Sequence, residues 1–213
     1  MSQLIEKIFM KTLIVDNYDS FTYNLFQQVA KISGQEPIVV KNDQISFEEV
    51  RTINPDNIII SPGPGRPERA KDFGICKAII LKANKPILGV CLGHQGIAHI
   101  FGADIIHAPE PYHGRLSAVI HQQENLFKNI PQSFKVVRYH SLIISNPPDC
   151  LKVTAQTKDG LIMGFEHKEK PYWGIQFHPE SIATEHGDDI IRNFLSISQN
   201  HQAQAAIPTY AFQ

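Results

Sequence analysis

Gly89-Val90-Cys91-Leu92-Gly93 joins the end of an apolar run to the start of a helical pattern. Small residues two before and two after the cysteine let the chain turn sharply. They also let strand and helix pack closely, as in a Gly-x-Ser-x-Gly nucleophile elbow with sulfur in place of oxygen. A helix N-terminus beside the sulfur favours the thiolate, which is the reactive form. The Leu92 N–H points to where an oxyanion would form during attack on a carbonyl. Free cysteines are more often small buried hydrophobes, but the elbow context favours a nucleophile here.

A cysteine nucleophile needs a base. The chain has ten histidines, so a chance candidate is expected, and His94, His99, His107, His121 and His167 read as structural. His178 differs: it ends the apolar run Trp173-Gly174-Ile175-Gln176-Phe177 and is followed by Pro179-Glu180. Strand alternation puts residues two apart on one side, so Glu180 can reach the His178 ring. A carboxylate there fixes the tautomer and stabilises the imidazolium.

Three further sites are weaker on their own. Ser61-Pro62-Gly63-Pro64-Gly65 follows an apolar run, and its glycines let backbone N–H groups approach a ligand. In an open parallel sheet this loop shares an edge with the elbow, so a second oxyanion donor near Gly63 is expected; a simple turn is the plainer alternative. The loop lacks the Gly-Lys-Ser/Thr of a phosphate loop. Gln95, one turn past Cys91, is either a contact for the polar end of a substrate or an exposed helix residue. Backbone groups at Ser141 and Leu142, after Tyr139-His140, are candidates to hold an amino acid's charged groups.

These residues need elements to position them. Thr12–Asp16 predicts a buried strand. A helix follows through 21–32, with Ser20 as N-cap and Gly34 as terminator. Residues 37–40, 57–61 and 86–90 predict further strands. Ser46 and Glu49 form a capping-box pattern for a short helix. Helices are expected at 75–83, at 92–101 closed by Gly102, and at about 186–198. The short apolar strands alternating with helices predict a mostly parallel sheet covered on both faces.

Beyond residue 103, ADIIHA, RLSAVIH, FKVVRYH, LKVTAQT, LIMGFEH and YWGIQFH read as strands. Lys158-Asp159-Gly160 separates two of them as a hairpin does. The fold class expected is α/β: a single doubly wound, mostly parallel sheet flanked by helices, with antiparallel strands added to it in the C-terminal half. Residues 1–9 read as an extension, 10–199 as the folded domain, and 200–213 as a loose tail or linker.

The composition excludes other classes. With 213 residues, 42% hydrophobic and 19% charged, the chain supports one domain with a full core, or at most two small ones. A net charge of -1 gives no electrostatic case for nucleic acid or an anionic membrane. No apolar run reaches membrane-spanning length. Cys76, Cys91 and Cys150, sparse and odd in number, argue against a disulfide framework or a structural zinc site and for a reducing cytoplasm. The N-terminus does not read as a signal peptide, since Glu6 and Lys7 interrupt its apolar stretch and no small-residue cleavage site follows.

DNYDSFTYNL, SPGPG, GVCLGHQ, RYHSL and FHPES, in that order, resemble class I glutamine amidotransferases of the Cys–His–Glu type. The resemblance extends from Asp16 to about Leu195 and implies a flavodoxin-like fold. It also implies that Cys91 is the nucleophile, that His178 and Glu180 complete a triad, and that Gly63, Pro64, Gly65, Gln95, Ser141 and Leu142 bind L-glutamine.

Within that family, DNYDSFTYNL and ESIATEHG make the chain most similar to the glutamine-hydrolysing components of chorismate-aminating enzymes. SPGPGRPERAKDFGIC and MGFEHKEKPYWGIQFHPES look more like the 4-amino-4-deoxychorismate synthase type than the anthranilate synthase type. The implied partner is a chorismate-binding synthase, either a separate polypeptide or a fused domain. No metal or organic cofactor is expected in this chain, and magnesium would belong to the partner. A catalytically silent regulatory subunit would be expected to lack Cys91, His178 or Glu180, and all three are present.

Overall fold

A computed structural model describes residues 10–205. Its element order is β1 (Thr12–Asp16), α1 (Thr22–Ser33), β2 (Ile38–Lys41), α2 (Phe47–Ile53), β3 (Asn57–Ile60), α3 (Ala70–Phe73), α4 (Cys76–Lys82), β4 (Ile87–Val90), α5 (Leu92–Ile100), β5 (Asp104–His107), β6 (Arg115–His121), a short 3-10 turn at Asn125–Phe127, β7 (Phe134–Arg138), β8 (Leu142–Ser145), β9 (Leu151–Thr157), β10 (Ile162–His167), β11 (Tyr172–Ile175) and α6 (Gly187–Ala205).

Nine strands form one sheet in the order β2-β1-β3-β4-β11-β10-β9-β6-β7. The strands from β2 to β11 are mutually parallel. Those from β10 to β7 pair antiparallel. β1, β3, β4 and β11 are buried along their whole length, as expected of parallel strands covered on both faces.

Side-chain parity divides the core in two. Leu13, Val15, Ile58 and Ile60 face one layer with Val50 of α2, Ile79 of α4 and Ile97 of α5. Ile14, Ile59, Leu88 and Val90 face the other with Leu25 and Val29 of α1 and Ile190, Phe194 and Leu195 of α6. The α/β architecture expected from the sequence is therefore present.

Four details differ from expectation. First, β5 pairs with β8 in a separate two-stranded sheet, so not every late strand joins the main sheet, and β8 was not foreseen as a strand. Second, β11 joins the parallel half beside β4.

Third, Ser20 does not cap α1. The cap position is Phe21, which makes no side-chain cap. Phe21 N–H instead donates to Asp19 Oδ2 at 2.7 Å, and Thr22 Oγ1 donates to Asp16 Oδ1 at 2.9 Å. A carboxylate two residues upstream reaches the free N–H more readily than a hydroxyl beside it. Gly34 does end this helix, at φ 75°. The Ser46–Glu49 capping box forms in both directions.

Fourth, α6 runs to Ala205, beyond the expected end near Ser198, so residues 200–205 are helical. The proposed extension at 1–9 and the remaining tail at 206–213 lie outside the described residues.

Among the described residues no helix is long and apolar enough to cross a membrane. None of their His, Cys, Asp and Glu side chains gather in threes around a metal-sized space.

Candidate active site

The elbow is built by close packing. A Cβ on Gly89 would lie 2.4 Å from the Gly93 carbonyl carbon, and one on Gly93 would lie 2.4 Å from the Ile60 carbonyl oxygen. Only glycine at both positions lets α5 descend onto β3 and β4 directly after the strand ends. Cys91 sits between them with φ 51° and ψ −98°, a strained backbone of the kind found at functional sites. Its N–H donates to the Ile175 carbonyl at 2.9 Å, which extends the β4–β11 ladder by one rung and sets the sulfur beside the residues that follow β11.

Those residues are held from two sides. His178 N–H donates to the Val137 carbonyl at 3.2 Å. Thr184 Oγ1 donates to the His178 carbonyl at 2.7 Å and accepts from Val137 N–H at 3.0 Å. Gln28 of α1 donates to the Pro179 carbonyl and to Asp188. Gly187 packs so tightly that a Cβ would meet the Pro179 oxygen at 2.0 Å. The loop between β11 and α6 is thus pinned against β7 and α1.

His178 Nδ1 is 2.5 Å from Glu180 Oε1, and both side chains are almost fully buried, at 3% and 0% exposed. Strand alternation does not deliver this contact, because β11 ends at Ile175 and the turn through Pro179 does. Burial pushes the imidazole pKa down. Hydrogen bonding and charge from the Cys91 sulfur and the Glu180 carboxylate outweigh burial and raise it to about 11. The phenyl ring of Phe21 and the Tyr139 ring pack edge-on against the imidazole, with centroids 5.9 and 5.3 Å away. The imidazole therefore bonds to the Glu180 carboxylate and has its charged form favoured by both Glu180 and the Cys91 sulfur, an arrangement able to stabilise an imidazolium.

A Cβ on Gly63 would meet Asn17 Cβ at 2.5 Å and Leu92 Cδ2 at 3.0 Å, so the 61–65 loop lies against the start of α5. As the first residue of that helix, Leu92 has an N–H with no intrahelical acceptor. That leaves the Leu92 N–H as a candidate oxyanion donor at the elbow.

Asn17, which sequence reasoning passed over, holds this loop. Its N–H donates to Ser61 Oγ and its amide to the Ser61 carbonyl, both at 2.9 Å. Its own Oδ1 accepts from Asn42 at 2.9 Å. Pro64 and Gly65 are exposed on the outer part of the loop, Gly65 with φ 89°.

Gln95 is 3% exposed, which excludes the reading as a surface helix residue. Its Nε2 donates to the Leu142 carbonyl at 3.0 Å and to Gln176 Oε1 at 3.1 Å. The Ser141 and Leu142 carbonyls are already engaged, by Ala108 N–H and by the Gln95 and His140 side chains. Leu142 is thus brought to the elbow through Gln95, and Ser141 is exposed beside it.

Gln176, fully buried, points its Nε2 at the Cys91 sulfur, 3.6 Å away. The signal for it was present: a lone amide in the otherwise apolar run Tyr172–Phe177.

The family model for Glutamine amidotransferase class-I matches residues 13–197. The chain belongs to this family. Among curated relatives of this amidotransferase, the Aminodeoxychorismate synthase of Streptomyces griseus is 48% identical over 192 residues, which is 90% of this chain and 27% of that protein. Anthranilate synthase component 2 of Methanothermobacter marburgensis is also 48% identical, over 190 residues, covering 86% of this chain and 96% of the relative. The chain therefore spans about a quarter of the first relative and nearly all of the second. Among solved structures, a putative GMP synthase subunit from Thermoplasma acidophilum superposes with a TM-score of 0.84 at 32% identity, covering 93% of this amidotransferase chain and 99% of its own.

Proposed function

We propose that the chain hydrolyses the side-chain amide of L-glutamine at Cys91 and delivers the ammonia to a chorismate-aminating synthase. The observation that carries this reading is the buried His178–Glu180 pair, whose charge is favoured by the Cys91 sulfur at the strand–helix elbow.

The Cys91 thiolate attacks the amide carbon, and the carbonyl electron pair moves onto oxygen. The N–H groups of Leu92 and Gly63 hold that oxyanion. His178, charged at neutral pH, gives its proton to the departing nitrogen as the C–N bond breaks, leaving a thioester and ammonia. The neutral imidazole then takes a proton from water. Hydroxide adds to the thioester, and the C–S bond breaks to release glutamate and regenerate the thiolate. Glu180 keeps Nε2 of the imidazole turned toward the sulfur and stabilises the cation.

Gly63, Pro64, Gly65, Gln95, Ser141 and Leu142 bind the glutamine in this reading. The chemistry needs only thiolate, imidazole and water from this chain, and magnesium belongs to the chorismate-binding partner. Three unpaired thiols suit a reducing cytoplasm.

The partner is proposed to be the 4-amino-4-deoxychorismate type, on the segments around SPGPG and FHPES and the similarity to the Streptomyces relative. Anthranilate formation is the second reading, favoured by the near-full-length match to component 2. Mixing the protein with each candidate synthase, chorismate and glutamine decides between them by the product formed. Cys91→Ala is expected to abolish glutamine-dependent synthesis while ammonia-dependent synthesis by the partner continues. Retained glutamine use by that variant rejects the assignment.

A further inference from the structure

We infer that Gln176 is a positioning residue that donates an amide N–H to the Cys91 sulfur, and that the Leu142 carbonyl, acting through the Gln95 amide, holds it in that orientation. This rests on the reading of Cys91 as nucleophile and goes beyond the triad.

The direction of each link follows from donor chemistry. Arg138 is 1% exposed, always charged, and can only donate. Its Nε donates to His140 Nε2 at 3.0 Å, which forces that nitrogen to be the acceptor and places the ring proton on Nδ1. Nδ1 then donates to the Leu142 carbonyl at 2.8 Å. Burial and the neighbouring guanidinium depress the His140 pKa to about 3, so the ring stays neutral and the tautomer is fixed.

The Leu142 carbonyl also accepts from Gln95 Nε2, so the Gln95 amide cannot be flipped without facing its oxygen to that carbonyl. The same Nε2 donates to Gln176 Oε1. With its oxygen occupied, Gln176 has only its NH2 to turn toward the sulfur, 3.6 Å away.

Arg138 is itself held by Ser117 Oγ at 3.1 Å and by the Tyr112 ring, with the guanidinium carbon 3.4 Å from the centroid. No carboxylate pairs with it among the described residues. A buried cation without a carboxylate is costly; here it fixes the His140 tautomer whose Nδ1–H anchors the Leu142 carbonyl, and that carbonyl in turn orients Gln95. The titratable and charged groups facing the sulfur or its neighbour His178 are Glu180 from the β11–α6 loop, Asp19 before α1 and His140 after β7, with Arg138 of β7 and His94 of α5 beside His140.

A neutral N–H aimed at a thiolate stabilises it over the thiol. The test is the pH dependence of Cys91 alkylation by iodoacetamide, followed on the Cys91 peptide by mass spectrometry in a Cys150→Ser background. Gln176→Leu is expected to raise the alkylation midpoint by about one pH unit, a tenfold loss of thiolate below the midpoint. It is also expected to lower kcat for glutamine with little change in KM. Gln176→Met, closer in length, repeats the test if Leu disturbs folding.

Arg138→Lys, which removes the Nε–H and so loosens the His140 ring that anchors the Leu142 carbonyl, is expected to shift the midpoint in the same direction by less. An unchanged midpoint in the Gln176 variants overturns the proposal, and an unchanged midpoint in Arg138→Lys alone shows that the Leu142 carbonyl orients Gln95 without the Arg138–His140 anchor. A failure of the underlying reading looks different: Cys91→Ser would then keep glutaminase activity whatever Gln176 does.

Discussion

The β11–α6 loop and the β7–β8 corner each deliver a buried histidine to the same site, and the two are driven to opposite charge states. His178, in the loop, faces a sulfur and a carboxylate, and its pKa rises to about 11. His140, at the corner, faces a guanidinium and a carbonyl, and its pKa falls to about 3. Burial depresses both, so burial alone does not decide the outcome. The sign of the neighbouring charge does, because Coulomb interactions are strong where water is excluded. One ring is thereby suited to moving protons and the other to fixing geometry.

The most severe way to break the contrast is to remove the His178 ring, the proposed proton carrier. His178→Asn is expected to reduce glutamine turnover by roughly 10⁴-fold, measured as glutamate release with partner present. His140→Asn should cost far less, since its ring moves no proton. Equal losses in the two variants would contradict the division of roles.

Glu180→Gln keeps the shape of the loop but removes the negative charge, and about a 10²-fold loss in kcat is expected. The alkaline limb of the pH–rate profile should move to lower pH, because the imidazolium loses its stabilising partner. A profile identical to wild type would show that the carboxylate does not set the His178 charge.

The neutral histidines predict acid sensitivity. His94, pressed between Gly174 and the Phe165 ring, is held at about 3 by burial, as His140 is by burial and Arg138. Their folded pKa values lie below the unfolded value, so the unfolded chain binds more protons between about pH 6.5 and 3. Stability from these two groups is present above that window and is lost as pH falls through it. The combined slope approaches about 2.7 kcal/mol per pH unit. His178 does not offset this, because a raised pKa gives a contribution that is already complete below pH 6.5. Urea unfolding at pH 5.5 and 4.5 measures the slope, and a flat profile would mean that these rings become charged in the folded state.

The smallest expected effect is a control remote from both rings. Ser46→Ala removes the capping box of α2 and should lower stability by about 1 kcal/mol in urea unfolding. It should leave the titration of His178 untouched.

Much of this was legible in the residues. The elbow needed only Gly89, Cys91 and Gly93 at fixed spacing, and the steric fit at both glycines is what that spacing requires. His178 and Glu180 were within reach of each other by proximity in sequence. The second sheet of β5 and β8 was not legible, because four-residue strands carry no mark of which sheet they join. Ser20 was misread as a cap because a hydroxyl at the right place cannot be told from one outcompeted by Asp19. Arg138, His140 and Gln176 carried hints as polar residues in apolar runs, but their partners lie up to 85 residues away along the chain, as in the Gln176–Cys91 pair.

By itself the sequence determined the order and type of most elements, the elbow, and the candidates for nucleophile, base and orienter. These depend on local steric rules and short spacings, which act within a few residues. Only the tertiary structure decided which histidine is charged and which is neutral, and which way each buried amide faces. Those depend on the sign of charges and the identity of donors brought together through space from β4, α5, β7 and β11, and no stretch of the chain read alone contains that information.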